Sequence, residues 1–168
     1  MSEMTGNSQT IDERFSHLDE LGRARMVNVS EKPVTLRVAR ASGLIRMQPE
    51  TLQAILTGET PKGEVLSVAR VAGIQAAKRT DQLIPLCHSL RLDSVEVHFE
   101  AQPPDALVVK AEARCEGKTG VEMEALVAVS VASLTVYDMC KAFDRCMVME
   151  SVKLDFKSGG RSGEFHRS

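Results

Sequence analysis

Ser94-Val95-Glu96-Val97-His98-Phe99-Glu100-Ala101, then Pro103-Pro104-Asp105, then Val109-Lys110-Ala111-Glu112-Ala113-Arg114-Cys115-Glu116 is the most regular stretch of the chain. In the first arm Val95, Val97, Phe99 and Ala101 alternate with polar residues. In the second, Val109, Ala111, Ala113 and Cys115 do the same. Successive side chains on a strand point to opposite faces, so this pattern is a hairpin with one buried face and one wet face. The proline-rich segment between the arms supplies the turn.

The flanks complete the pattern. Downstream, Gly117 to Gly120 breaks the alternation. A long helix then runs from about Val121 to Phe143 without Gly or Pro. It is apolar around much of its circumference, so it is expected to be buried on several sides. Val152, Leu154 and Phe156 mark a last strand. Upstream, Pro49 opens a short helix that runs to Thr57 and is closed by Gly58. Pro61-Lys62-Gly63 starts a second helix, Glu64 to about Arg79, with Val65, Val68, Ala69, Ala72 and Ala76 at helical spacing. Its alanines and Gly73 imply close approach to a neighbour. Leu83 to His88 contains Pro85 and reads as a loop across the sheet edge. Val34, Leu36 and Val38 alternate with Thr35, Arg37 and Ala39 as an extended segment, and Met26 to Val29 reads as a short strand. The order strand, helix, strand, strand, helix, strand is α+β: a ferredoxin-like antiparallel sheet with helices packed on one face. Its other face and the apolar helix call for a partner copy, so a homo-oligomer is expected.

At 168 residues the chain is one domain with a tail. Residues 1–24 are polar and read as a flexible N-terminal tail, leaving 25–168 as a single catalytic domain. A net charge of −2 excludes a strongly basic nucleic-acid surface for the protein as a whole. No uninterrupted apolar run reaches the ~18 residues of a membrane span, and no apolar signal core follows Met1. A cytoplasmic enzyme with no membrane or nucleic-acid partner is expected. Cys87, Cys115, Cys140 and Cys146 form no C-x-x-C pair and read as reduced thiols, with Cys87 beside His88 the one to watch. No metal-ligand spacing is visible, so no cofactor is expected, although Mg²⁺ can accompany a triphosphate.

Four constellations could carry chemistry. Lys157-Ser158-Gly159-Gly160-Arg161-Ser162-Gly163 combines turn-forming glycines with cations, as a phosphate cradle does. Gly117-Lys118-Thr119 invites a P-loop reading, but Glu112 stands where the first glycine of that motif belongs. Glu122, Glu124, Asp138 and Lys141 share the long helix. A rise of ~1.5 Å per residue puts Glu124 and Asp138 about 21 Å apart, so they cannot serve one small centre within one chain. Asp138 and Lys141 sit within an otherwise apolar stretch, where charges are paired or used. Lys62 stands at a helix entrance, where backbone N–H groups favour an anion.

Together these blocks resemble the cyclic pyranopterin monophosphate synthase family, the C proteins of molybdenum cofactor biosynthesis. The resemblance is carried by Lys62 to Val65, Ala69 to Thr80, Leu83 to His88, Gly117 to Leu126, Tyr137 to Ala142 and Lys157 to Gly163. It implies a lyase that converts 3′,8-cyclo-7,8-dihydroguanosine 5′-triphosphate, a cyclic dihydro-GTP, into cyclic pyranopterin monophosphate and diphosphate. It also implies a homohexamer, a trimer of dimers with the active site at a dimer interface. By motif it implies catalytic roles for Asp138, Lys141, Lys62 and Glu122. It implies substrate binding by Leu86, Cys87, His88, Met123, Glu124 and Lys157. Three positions depart from the pattern: Ser89 stands where proline is common, Asn28 where aspartate is common, and Arg161 replaces a lysine with charge kept.

Overall fold

A computed structural model of the chain describes residues 21–161 and 163–168; of the expected tail, residues 1–20 lie outside the described residues. The elements run β1 (Thr35–Arg46), α1 (Pro49–Thr57), α2 (Val65–Ala77), α3 (Thr80–Leu83), β2 (Ser94–Gln102), β3 (Ala106–Gly117), α4 (Glu122–Cys140), β4 (Val148–Ser158) and β5 (Phe165–His166). The strands form one sheet in the order β2-β3-β1-β4-β5, and every neighbouring pair is antiparallel. The first four strands thus keep the split order of a ferredoxin-like fold. α4 lies across β1, β3 and β4, and α2 packs on β2 and α4.

The central hairpin is as its sequence predicts. Val97, Val109, Ala111, Ala113 and Cys115 are buried beneath the helices. Glu96, His98, Glu100, Lys110 and Arg114 project from the open face. That face carries ion pairs: Arg40 and Arg114 each approach Glu112 at 2.5 Å, and Lys110 meets Glu100 at 2.5 Å.

Other boundaries differ from expectation. β1 is longer than the alternation suggested, and its buried side is the opposite one. Val34 and Leu36 are more than half exposed, whereas Arg37, Ala39, Ala41 and Ile45 are buried. Small residues on that side let α4 lie close, which outweighs the larger apolar side chains opposite. Met26 to Val29 is not a strand. Gly117, where the alternation was expected to break, is the last residue of β3. The second helix stops at Ala77, and Thr80–Leu83 forms a separate short turn. The long helix stops at Cys140 because its last turn gives way to residues whose backbone N–H groups return to Tyr137 and Cys140. The final strand extends to Val148–Ser158, where register shifts against β1 between Arg40 and Ala41 and between Ser42 and Leu44 obscure the alternation.

α4 is long and apolar enough to cross a membrane, a limit no segment was expected to reach, but 56% of that stretch is buried in the fold. It is a core helix. Two glycines set its seat. A Cβ on Gly43 would lie 2.9 Å from Val129 Cγ1, and one on Gly73 would lie 2.9 Å from the Ala128 carbonyl oxygen. Asp144, 1% exposed, ties the C-terminal side of α4 to α1 by accepting from the Gln48 N–H, the Thr51 hydroxyl and the Cys146 N–H.

Helix propensity alone would make Gly73→Ala stabilising by ~0.5–1 kcal/mol. The contact with rigid backbone reverses the sign. Urea denaturation should find the alanine variant destabilised by about 1–3 kcal/mol.

Candidate active site

The predicted site residues gather into two groups at opposite ends of α4. At its C-terminal end, Asp138 lies in the last turn and Lys141 follows as the cap residue. Lys62 comes from the loop before α2. Lys62 Nζ donates to Asp138 Oδ2 at 2.9 Å and to the Asp138 carbonyl oxygen at 3.0 Å. Lys141 Nζ reaches Asp138 Oδ1 at 2.7 Å. The apolar surroundings expected from the sequence are absent: the Asp138 and Lys141 side chains are 56% and 52% exposed. Hydrogen bonds from Lys141 and then Lys62 hold the Asp138 carboxyl at a pKa of about 2. The same partner raises that of Lys141. The group is a carboxylate clamped between two ammonium ions, open to solvent.

At the N-terminal end of α4 lies a cleft of about 280 Å³ lined by Leu86, Cys87, His88, Leu90, Thr119, Gly120, Glu122, Met123 and Glu124. The α4 entrance forms its floor, and the loop after α3 forms one wall. Gly120 leaves room for the Glu122 carboxylate, which lies where a Cβ on this residue would fall. Lys157, on the helix side of β4, pairs with Glu122 at 3.1 Å. Glu124 is 3% exposed, and its Oε2 is enclosed without a hydrogen-bond partner. Burial pushes its pKa up to about 7; its own backbone opposes this, while the charges of Glu122 and Asp81 add to it. Burial also raises the Cys87 thiol, with Glu124 and Asp81 adding to it. His88 Nε2 lies 2.7 Å from the Val27 carbonyl oxygen. A carbonyl only accepts, so this nitrogen carries the proton, and in the neutral ring Nδ1 is left as an acceptor.

The sequence reading missed the far wall. Val27, Val29 and Lys32 close the cleft from the N-terminal side. Lys118 donates to the Ser30 carbonyl oxygen at 2.6 Å and pins that segment. The half-burial of Val27 and Val29 was legible as alternation, but it serves the cleft instead of a strand. A separate cleft of about 580 Å³, between α1 and the Pro103-Pro104 turn, contains none of the predicted site residues.

One chain therefore carries two clusters, acid-rich at one end of α4 and cation-rich at the other. The cleft falls just below the ~300 Å³ floor usual for small-molecule sites, so it suits part of a ligand. Fold and site together define an α+β protein of the ferredoxin-like type whose charged and titratable groups fall into two clusters at the ends of α4. The MoaC family model matches residues 26–160, and the chain belongs to that family. It is 60% identical over 154 residues to cyclic pyranopterin monophosphate synthase 1 of Mycobacterium tuberculosis, covering 92% of this chain and 91% of that protein. It is 58% identical over 161 residues to cyclic pyranopterin monophosphate synthase of Chloroflexus aggregans, covering 95% and 97% respectively.

The raised pKa of Glu124 has a stability signature. The folded chain holds its proton to about pH 7, whereas an unfolded glutamate releases it near its ordinary 4.5. Wild-type stability therefore falls as pH rises through that interval, because the unfolded state binds fewer protons there. Urea midpoints should find Glu124→Gln more stable than wild type at pH 8, with the advantage gone by pH 4.5.

Proposed function

We propose that this chain is a cyclic pyranopterin monophosphate synthase acting in molybdenum cofactor biosynthesis. Its reaction converts 3′,8-cyclo-7,8-dihydroguanosine 5′-triphosphate into cyclic pyranopterin monophosphate and diphosphate. The observation that carries this reading is the Lys62–Asp138–Lys141 clamp in a chain that matches the MoaC family model along most of its length.

The chemistry has two demands, and the residue types meet both. Rebuilding the purine-derived ring as a pterin needs several proton transfers. Glu124, titrating near neutrality, can give or take a proton at working pH. The Nδ1 of His88 can accept a hydrogen bond from the donor-rich ring. Leu86, Cys87 and Met123 supply the apolar contacts around it. Closing the cyclic phosphate needs a ribose-derived hydroxyl to attack the α-phosphorus. The new O–P bond forms as the bond to the β-phosphate oxygen breaks, and diphosphate departs with its electron pair. Lys62 and Lys141 neutralise the charge that builds on those oxygens. Their transfer to phosphate releases Asp138 from its clamp, so its carboxylate becomes basic enough to take the hydroxyl proton. Lys157 holds Glu122 in place beside the cleft.

The two groups stand about 21 Å apart along α4, by the ~1.5 Å helical rise. A nucleotide-sized substrate reaches both only where a second copy brings its own clamp to the cleft. This supports a homo-oligomer with the site between subunits, and a hexamer built as a trimer of dimers is the form we propose. We propose a cytoplasmic protein that takes no membrane or nucleic-acid partner. Its side chains carry the acid–base steps without a resident cofactor, and any Mg²⁺ arrives with the triphosphate.

The test is turnover of freshly prepared cyclic dihydro-GTP, with diphosphate and pterin product followed together. Wild type should release both in equal amounts. Asp138→Asn should lower kcat by roughly 10²- to 10⁴-fold, the usual worth of a positioned acid–base group. Because Asp138 is exposed, its unfolding midpoint should not move. Binding without product by wild type would point instead to a regulatory module.

A further inference from the structure

One buried carboxylate has no part in the chemistry described above. Asp144 is 1% exposed, and among the described residues no cation pairs with it. Its hydrogen bonds come from neutral donors. Oδ2 accepts from the Gln48 N–H at 2.9 Å and from the Thr51 hydroxyl at 3.1 Å, and Oδ1 accepts from the Cys146 N–H at 3.0 Å. A buried carboxylate without a counter-ion is costly. What this one secures is the junction of two segments, and each of them leads to a lysine of the clamp.

On one side stands the entrance of α1. Its N-cap, Gln48, makes no side-chain cap bond of its own. Asp144 brings an acceptor and a negative charge to that positive helix end instead. α1 then leads through Gly58 to Lys62, and the Thr60 hydroxyl closes the lysine turn by donating to the Gly63 carbonyl oxygen at 2.5 Å. On the other side is the turn after α4. The N–H groups of Lys141, Phe143 and Asp144 return to the carbonyls of Tyr137 and Cys140. Lys141 is thus held between the helix end and the Asp144 anchor. Thr51 and Ala54 of α1, Pro61 beside Lys62, and Phe143 of the turn border one cleft. Burial pushes the Cys140 thiol up to about 11; Asp144 adds to this and Lys62 opposes it. Anchor and clamp therefore lie within electrostatic reach of the same buried side chain.

We infer that Asp144 is a positioning residue: it fixes the turn that bears Lys141 against α1, which leads to the Lys62 loop, so that both ammonium groups bracket Asp138. The clamp side chains are exposed, and a free lysine side chain samples many rotamers. Their alignment therefore depends on the backbone anchored beneath them. The catalytic consequence rests on the reading of the clamp as part of the reaction centre.

The test is carboxyl ¹³C NMR of Asp138 in the full chain, assigned by its loss in Asp138→Asn and followed from pH 6 to pH 3.5. In wild type the clamp holds the pKa at about 2, so the resonance should stay flat. Asp144→Ala removes all three anchor bonds. In it Asp138 should bind its proton at least about tenfold more tightly, as a carboxylate does on losing close cations, and the resonance should move. Loss of the Asp144 charge alone acts the other way, so tighter binding reports clamp geometry. Turnover of cyclic dihydro-GTP should fall roughly 10- to 100-fold in kcat, as expected for a misplaced site. Asp144→Asn keeps an amide oxygen for both α1 donors and should restore the flat titration and most of kcat. A flat titration in folded Asp144→Ala overturns the inference even if its unfolding midpoint drops, because the residue then only stabilises. An Asp144→Asn that behaves like Asp144→Ala overturns it too, because the charge and not the anchor then matters. If Asp144→Ala does not fold, Thr51→Val decides: it leaves the carboxylate and removes one α1 donor, so Asp138 should bind its proton more tightly, and an unchanged titration overturns the inference. The NMR arm needs no substrate. Failure of wild-type turnover would refute the proposed reaction and leave the anchoring of the clamp to be judged by the titration.

Discussion

The burial of α4 against the sheet on one side and α2 on the other is the constraint from which the site follows. A helix held this way is a strut of fixed length, and its ends cannot approach one another. Its seat depends on the absence of two side chains, at Gly43 and Gly73, where backbone and methyl groups fill the space a Cβ would take. Asp144 then locks the C-terminal side of the helix to α1 through three hydrogen bonds. Whatever chemistry uses both ends of α4 must be arranged around that rigidity.

The two ends differ in electrostatic character. At the clamp, exposed lysines hold a carboxylate ionised, and water screens the whole group. At the cleft, burial does the reverse and favours the protonated form of Glu124. Opposite displacements of two carboxyls from their ordinary range are the pattern expected where one fold must run both acid and base chemistry near neutrality. Here the two environments arise from one helix, one end open and the other enclosed.

Much of this was legible in the sequence, and the failures have physical causes. The hairpin from Ser94 to Glu116 was readable because its buried and wet faces alternate strictly. The α4 interior was readable because nineteen residues run without a helix breaker. β1 misled because its buried face is built from Ala39, Ala41 and Gly43, whose small size is what packing requires, while Val34 and Leu36 are left exposed. Periodicity of bulk therefore pointed to the wrong side. The motif residues were identified by resemblance, and the structure groups them as Lys62 with Asp138 and Lys141, and Glu122 with Lys157. The wall formed by Val27, Val29 and Lys32 was not legible, since it depends on long-range bonds from His88 and Lys118 to main-chain carbonyls.

Division of the site between copies is the claim on which the mechanism rests, and subunit complementation tests it most directly. Asp138→Asn disables the clamp and Glu124→Gln disables the cleft. Each variant alone should be inactive, yet after dissociation and joint reassembly the mixture should recover roughly a quarter of wild-type activity. Random pairing in equal amounts makes half the dimers mixed, with one intact site in each. A reassembled mixture no more active than the sum of its parts would contradict a site shared between subunits.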